Sequence, residues 1–542
     1  MWHFCILIVH RFVELPAEDL PNLYSHHPVM FHWCCTCDTL PYEIAKTLFK
    51  MWISQLEGHL DADITQDKSS EDVKMTLELL QTNEKSLSII LDILCSGDED
   101  ITERVSWLTK AILNQSCPTG STIIVKVLQE KLPVVMQKLF LRQEHEVKDI
   151  HCVALLDLLC CVHRTCHIPE MESISAKLAY HVSNLLSKES TSNTELIRVS
   201  LNYLICLMLQ NAKNTDNRVA LVILSSSGIL QMLEELVQMD DKQLIHTPNM
   251  VTLQACALSL LAQLIDVQRK TNVKVQYQIT MDLTSALNTI QKARQNISRV
   301  CGTKVLTSLL TANFQSPVLK LNEERDGTVL LSDADVGLDI SSCQLRKLLI
   351  ILQNNMLKGD DILCLASVHC LHALMLYTNQ KNKDLGKHLL NQPWNQLLLS
   401  QCLDLCETDG MLVCVLNLIN LFVKFDSDGT VVTQAMVDTV LEHVVKYEQT
   451  SHRHISQVSF QYIELIKQIL ELNSLRISIR LREKVAQQMA TYMDYPQSID
   501  NHALSAILSI QGVILPSESP CGLIQDAKTA ACKIHTKLKS LM

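Results

Sequence analysis

The chain has 542 residues, of which 47% are hydrophobic and 19% charged, and its formal net charge is −11. This composition excludes a disordered chain, and the 4% of aromatic residues and 13 glycines argue against an all-β fold, which needs frequent turns and aromatic strands. With 47 lysines and arginines against 58 aspartates and glutamates, the chain has no global charge for neutralising DNA phosphates, so we expect no direct sequence-specific reading of DNA.

The 21 cysteines are scattered, and many lie inside apolar runs, among them Cys206, Cys256 and Cys414. Cysteines so placed behave as small buried hydrophobes, which indicates a reducing compartment rather than a secreted disulfide framework. The apolar start of the chain lacks a basic region and a cleavage site, so no signal peptide is expected. The uncharged run 246–265 contains a proline and polar residues and is interpreted as a buried core helix, so we predict no membrane interaction.

Residues 1–38 differ in composition from the rest of the chain and are predicted to form an irregular leader. They are rich in histidine, tryptophan and cysteine, contain three prolines and show no helical period. Cys34 and Cys37 have the C-x-x-C spacing of half a zinc site, but no second pair follows. They are a weak metal candidate, and the alternative is a local bias in composition.

Residues 39–315 are predicted to form armadillo-like helical repeats. Apolar residues recur with helical spacing over 101–115, 151–163, 196–212, 218–227, 228–240 and 249–267. A short helix, a break at Gly228, a second helix, Pro248 and a long helix follow in that order, and this resembles an armadillo repeat of about 40–47 residues. The pattern therefore predicts an all-α fold, an armadillo/HEAT-like helical solenoid in which stacked helices form a superhelix.

A second metal candidate lies in the sequence CCVHRTCH. On a helix, Cys160, His163 and His167 fall at positions i, i+3 and i+7, along one face. The alternative is a buried helix that ends before Pro169 and keeps its histidines in the exposed last turn, where positive charge is favourable.

Residues 316–342 interrupt the helices and are predicted to form an acidic loop or linker. A second block of helical repeats, 343–542, comes next and includes helices at 361–377, 410–425 and 454–472 and a C-terminal capping helix. Within it, KFDSDGTVVTQA resembles a calcium loop at Asp426 and Asp428. The loop's last ligand position is Ala435, which has no carboxylate, so this segment is interpreted as a helix-to-helix turn.

The most basic stretch lies near the C-terminal end, at 475–484. Arg476, Arg480, Arg482 and Lys484 are candidates for contact with a phosphate or an acidic partner, and the alternative is a solvated helix face. The chain contains no nucleotide-binding loop, no metalloprotease motif and no nucleophile elbow. We therefore predict neither an enzyme nor a bound cofactor.

Three helical stretches resemble the meiosis inhibitor protein 1 family: TLPYEIAKTLFKMWISQLEGHL, SSSGILQMLEELVQMDDKQL and MLVCVLNLINLFVKFDSDGT. The resemblance implies that the chain corresponds to a C-terminal part of a longer protein, and residues 1–38 to a variant start. It implies a scaffold in germ-cell nuclei that is needed for meiotic double-strand break formation and homologue synapsis. The implied partners are components of the topoisomerase-VI-like break machinery, and the family offers no catalytic residues.

Two other functions stay open from the residues alone. One is a cytoplasmic armadillo/HEAT adaptor for complex assembly or transport. The other is a metal-binding or nucleic-acid-binding protein that uses the cysteine and histidine clusters or the basic stretch at 475–484.

Overall fold

A computed structural model of the chain describes residues 84–94, 99–115, 118–140, 149–165, 174–187, 193–213, 216–239, 248–293, 295–322, 342–358, 360–390, 409–426, 434–450 and 457–471, with isolated residues between 42 and 50, at 432 and between 484 and 488. The predicted leader, most of the predicted acidic segment and the arginines of the basic stretch lie outside these residues. The predictions made for them stay predictions.

The chain divides into two compact units, Met1–Ile279 (unit 1) and Thr280–Met542 (unit 2). The described helices of unit 1 are α1 (Glu84–Ile93), α2 (Glu99–Gln115), α3 (Pro118–Phe140), α4 (Asp149–Thr165), α5 (Ser175–Leu186), α6 (Thr194–Lys213), α7 (Arg218–Leu224), α8 (Ser227–Gln238) and α9 (Pro248–Thr271). The described elements after α9 are β1 (Ile279–Asp282), α10 (Leu283–Lys292), α11 (Asn296–Thr311), β2 (Leu319–Asn322), α12 (Ser342–Lys358), α13 (Asp361–Lys381), α14 (Lys383–Leu390), α15 (Asp409–Phe425), α16 (Gln434–Thr450) and α17 (Gln457–Glu471).

Unit 1 is built around a row of four helices, α2, α4, α6 and α9, in which each helix packs against the next. They begin at Glu99, Asp149, Thr194 and Pro248, at intervals of 50, 45 and 54 residues. Between them, α1 packs against α2 and α3, and the short α7 and α8 connect α5 to α9. This regular stacking of neighbours is the architecture of a helical solenoid, so the prediction of an all-α armadillo/HEAT-like fold is confirmed.

The break between α7 and α8 lies at Ser225 and Ser226, two residues before the predicted Gly228, which is the second residue of α8. The two helices are bent by 76° relative to each other. A Cβ atom on Gly228 would lie 2.8 Å from Oγ and 2.9 Å from Cβ of Ser187, which follows α5 directly. Any larger residue would therefore have to push α8 away from α5. Pro248 is the first residue of α9, where its missing N–H costs nothing.

Within the described residues, two helices are long and apolar enough to cross a membrane by length and composition alone, Met250–Thr271 and Asp361–Lys381; the bent pair α7 and α8 also meets that criterion if it is counted as one span. In the two long helices, 61% and 67% of the apolar stretch is buried inside the protein. α9 packs against α6, α7 and α8, and α13 packs against α11, α12, α14 and α15. Neighbours on several sides account for helices that are apolar nearly all round.

Unit 2 contains a second row, α11, α13, α15 and α17. β1 and β2 form a two-stranded sheet that the sequence pattern did not predict. Asp360 caps α13, because its Oδ1 accepts the backbone N–H of Leu363 at 2.8 Å and its Oδ2 accepts Nδ2 of Asn296 at 2.7 Å. The compact units divide at 279–280. The predicted linker at 316–342 includes β2 and then lies outside the described residues as far as 341, so the predicted division stays a prediction.

Asp426 closes the turn after α15. Its buried carboxylate accepts the backbone N–H of Val432 at 2.7 Å, and its own N–H donates to the carbonyl of Phe422 at 2.9 Å. We expect Asp426→Ala to destabilise unit 2 by about 1–3 kcal/mol, because the N–H of Val432 loses its acceptor. Asp426→Asn keeps an oxygen acceptor and should recover most of the loss in thermal denaturation. Equal losses in both variants would show that the hydrogen bond does not stabilise the turn.

Candidate protein-binding surface

The row of unit 1 leaves one stripe of each helix partly open to solvent. On α4 this stripe comprises Ile150, Val153, Asp157, Cys161 and Arg164, and on α6 it comprises Glu195, Arg198, Asn202, Ile205 and Leu209. The positions recur every three or four residues because the other sides of each helix pack against neighbours. We call these two stripes, together with Lys110 of α2, the row face.

Charges of both signs alternate along the row face. Lys110 Nζ binds the Oδ2 atom of Asp157, which links α2 to α4. On α6, Arg198 binds Glu195 through two bonds, from Nε at 2.9 Å and from Nη2 at 2.5 Å. The hydrogen bond from Arg198 lowers the pKa of Glu195, and Asp157 is close enough to act on both residues. We call these four residues the charge ladder.

Asn202 lies between the charge ladder and α9. Its Oδ1 atom accepts the thiol of Cys256 at 3.2 Å, which fixes the orientation of the amide. Among the described residues the Nδ2 atom has no partner, so its two N–H groups are available as donors. A half-exposed amide in this position can bind the backbone carbonyls of an extended segment.

Beneath the row face, the free thiols of Cys160 of α4 and Cys206 of α6 lie close enough to shift each other's pKa. The hydrogen bond from Cys160, together with the nearby guanidinium of Arg164, lowers the pKa of Cys206 to about 6 despite burial. The same hydrogen bond and burial raise the pKa of Cys160. Cys160 therefore holds its proton more tightly than Cys206, whose ionised form is favoured by the guanidinium of Arg164.

The predicted metal ligands are placed in different surroundings. Cys160 is paired with Cys206, whereas the Nε2 atom of His163 lies 3.4 Å from the hydroxyl of the buried Tyr203. His167, Cys34 and Cys37 lie outside the described residues. In the described part of the chain, no group of three or more histidine, cysteine, aspartate or glutamate side chains is placed to hold a metal ion. Metal binding by either cluster stays a prediction.

Sequence reasoning missed Cys206 and Arg164 as members of this cluster. Cys206 was interpreted only as a small buried hydrophobe, because it lies in an apolar run. One signal in the sequence could have revealed the pair. Cys160 and Cys206 are 46 positions apart, which is close to the 45 positions between the first residues of α4 and α6.

The ionisation of Cys206 can be measured directly. We expect the ultraviolet thiolate absorbance of the folded protein to rise with a midpoint near pH 6, and this step to be lost in Cys206→Ser. Arg164→Leu should move the midpoint upward, because a cation next to the thiolate is removed. Cys301→Ser is the control, since burial raises the pKa of that thiol. A step that persists in Cys206→Ser would contradict the assignment.

The same pair predicts a pH dependence of stability. The pKa of Cys206 is lower in the folded protein, about 6, than the ordinary thiol value of 9.0, so the unfolded chain binds the extra proton between these pH values. The contribution of Cys206 to stability is therefore present above pH 9 and lost as the pH falls through 6. Above pH 9 the raised pKa of Cys160 has the opposite effect: the folded chain keeps a proton that the unfolded chain loses, so stability falls as the pH rises.

The helices and their packing define an armadillo/HEAT-like helical solenoid, and the row face is its candidate binding surface. No family model matches the chain. It is 26% identical over 448 residues to meiosis inhibitor protein 1 of Mus musculus and 25% identical over 452 residues to that of Homo sapiens, which covers 81% and 80% of this chain. The resemblance to the meiosis inhibitor protein 1 family is thereby confirmed. The chain spans about a third of the length of these relatives, 35% and 34%.

Several solved structures show a weak likeness to the chain. An engineered protein matches with a TM-score of 0.43 and 10% identity over 91% of this chain and 99% of its own. The SYS-1/POP-1 complex matches with a TM-score of 0.40 and 11% identity over 97% of this chain and 94% of its own. A mutant of Kap121p matches with a TM-score of 0.30 and 12% identity over 95% of this chain and 54% of its own. At these scores the fold assignment rests on the helices and their packing.

Proposed function

We propose that the chain is a non-enzymatic helical scaffold that binds other proteins and is needed for meiotic double-strand break formation and homologous chromosome synapsis. The observation that carries this proposal is the similarity to meiosis inhibitor protein 1 along four-fifths of the chain. That similarity coincides with a fold built of stacked helices, whose usual role is to hold segments of other proteins.

The row face supports binding rather than chemistry. Its charge ladder joins α2 to α4 and continues along α6, so the positions of its charges are fixed by the packing of the row. A fixed pattern of alternating charges selects a partner by complementarity, and like charges opposed to it are rejected. The amide of Asn202 adds donors that recognise the partner's backbone whatever its side chains.

The proposed partners are components of the topoisomerase-VI-like machinery that makes meiotic breaks, and the proposed location is the germ-cell nucleus. Both come from the family resemblance. A scaffold that positions such a machine needs a long interaction surface and no active site of its own, which agrees with a surface of paired charges.

Removal of the protein from germ cells tests the proposal. We expect the foci that mark meiotic breaks to be lost and homologues to fail to synapse, and we expect the reintroduced wild-type chain to restore both. Normal numbers of breaks in its absence would overturn the proposal. Recovery of trafficking or cytoskeletal proteins, instead of recombination factors, from germ-cell extracts would favour the cytoplasmic adaptor.

A further inference from the structure

Cys160 and Cys206 are two free thiols in the interface between neighbouring helices of the row. α4 and α6 pack against each other, and the two cysteines are buried, with 5% and 8% of their surface exposed. Neither cysteine is part of a disulfide. Two thiols on different helices can be joined covalently if the packing of the helices brings their Cα atoms to the right distance.

The register of the two helices places the thiols at nearly the same height. Where the helices begin, Nδ2 of Asn193 lies 3.4 Å from Oδ2 of Asp149, so each position on α6 is level with the position 44 residues earlier on α4. The helices run parallel, because a second contact between them, from His163 to Tyr203, lies farther along both. Cys206 is therefore level with position 162, two residues or about 3 Å along the axis from Cys160.

The second contact also shows which sides of the helices are turned toward each other. Nε2 of His163 lies 3.4 Å from the hydroxyl of Tyr203, and the centres of the two rings are 5.6 Å apart. Cys160 precedes His163 by three positions, and Cys206 follows Tyr203 by three positions. Residues three positions apart lie on the same face of a helix, so both thiols are on the faces that pack together.

This arrangement agrees with the geometry of a disulfide. The axes of packed helices are about 8–10 Å apart and each Cα atom lies about 2.3 Å from its axis, so facing Cα atoms approach to about 3.4–5.4 Å. An offset of about 3 Å along the axis increases this separation to about 4.5–6 Å. Disulfides need a Cα separation of about 4.4–6.8 Å.

The surroundings make the two thiols unequal in reactivity. The contact with Cys160 and the guanidinium of Arg164, one turn after Cys160, lower the pKa of Cys206, whereas the pKa of Cys160 is raised. The thiolate, not the thiol, is the nucleophile in thiol oxidation. Cys206 is therefore the residue that an oxidant attacks first, and Cys160 is the residue that reacts with the product.

The pair lies directly beneath the open stripes of α4 and α6. Cys161, next to Cys160, and Ile205, next to Cys206, are half-buried, whereas Arg164 and Leu209 are exposed. Side chains at a surface change rotamer within picoseconds to nanoseconds, so a molecule as small as hydrogen peroxide can reach a thiol beneath them.

We propose that Cys160 and Cys206 form a redox modification site, at which hydrogen peroxide oxidises the two thiols to a disulfide that joins α4 to α6. The Sγ atom of Cys206 attacks one oxygen of the peroxide, the O–O bond breaks, and a sulfenic acid and a hydroxide ion form. The Sγ atom of Cys160 then displaces the hydroxyl group of the sulfenic acid and forms the S–S bond. The protons of the two thiols convert both hydroxides to water. Two electrons pass from the sulfur atoms to the peroxide, and a dithiol reductant returns them and reopens the bond.

The disulfide changes both the stability and the surface of unit 1. In a reducing compartment a disulfide of this kind forms transiently, as expected of a redox sensor. It joins residues 46 positions apart, so it restricts the unfolded chain and stabilises the folded one. It also fixes the distance between the α4 and α6 stripes of the row face. Only this last consequence rests on the proposed function, since it matters if the row face binds partners.

The test treats the purified full-length chain with hydrogen peroxide, blocks the remaining thiols by alkylation and digests the product with trypsin. Cleavage after lysine and arginine leaves Cys160 in the peptide 149–164 and Cys206 in the peptide 199–213. We expect mass spectrometry to find these two peptides linked, and dithiothreitol to separate them. The link should be lost in Cys206→Ser. It should also be lost in Cys160→Ser, in which Cys206 stops at the sulfenic acid and is labelled by dimedone.

Cys161→Ser and Cys152→Ser are the matched controls, because both residues are in the same tryptic peptide as Cys160. Both variants should form the link as the wild type does. Circular dichroism melting shows whether each variant is folded, and the oxidised wild type should melt about 5 °C or more above the reduced form.

Three results would overturn the inference. The first is the absence of the link from the oxidised native wild type. The second is a link that persists in Cys160→Ser and is lost in Cys161→Ser. The third is a link that forms as often when the chain is oxidised in its urea-unfolded state, where no fold brings the thiols together. Because the assay uses the purified chain without a partner, its outcome is independent of the germ-cell experiment.

Discussion

Replacement of Leu204 by alanine is expected to destabilise unit 1 by about 3 kcal/mol, the largest effect on stability that we predict. Leu204 is 0% exposed on α6, the helix that packs between α4 and α9, so the variant loses apolar contacts and leaves a cavity. Leu209→Ala is the matched control, because Leu209 lies on the same helix and is 53% exposed. Its cost should be about 0.5 kcal/mol.

Urea or thermal unfolding of both variants measures the difference. Since Cys206 lies on the same helix, Leu204→Ala should also broaden the rise in ultraviolet thiolate absorbance that we expect near pH 6. Equal destabilisation by the two variants would mean that α6 is not buried between its neighbours as described.

If the proposed function holds, Arg198→Glu is expected to have the largest effect on partner binding, about a tenfold loss of the proposed partners from what the chain recovers from germ-cell extracts. The change places a third carboxylate beside Glu195 and Asp157 and so reverses the middle of the charge ladder. Like charges in this position repel whatever acidic group of the partner the arginine attracts.

Arg218→Glu is the control for this variant. Arg218 also binds a carboxylate, that of Asp216 at 2.6 Å, but it lies on α7, outside the row. We expect its variant to recover partners like the wild type. Equal losses in both variants would show that binding responds to overall charge, and undiminished recovery with Arg198→Glu would exclude the row face as the binding surface.

The helices of the rows could be predicted from the sequence, because packing on several sides leaves a strong apolar pattern. The prediction at 196–212 corresponds to α6, Thr194–Lys213, and the prediction at 249–267 corresponds to α9, Pro248–Thr271. β1 and β2 were missed because each strand has only four residues, too few for a period of two to stand out.

The sequence did not predict which residues come together on the row face. The bond between Lys110 and Asp157 joins residues 47 positions apart, and nothing in either local sequence indicates the other. Charge counted along the sequence instead pointed to 475–484, where Lys484 alone among the candidate residues is described.

The bonds between neighbouring row helices have a consequence for synthesis on the ribosome. Lys110 with Asp157, His163 with Tyr203, Cys256 with Asn202 and Cys414 with His369 are separated by 47, 40, 54 and 45 positions. At about 5–20 residues per second, each next helix emerges within about 10 s of the last. The growing chain can therefore complete one interface before the following helix is made, and its apolar helices find their partners in the order of translation.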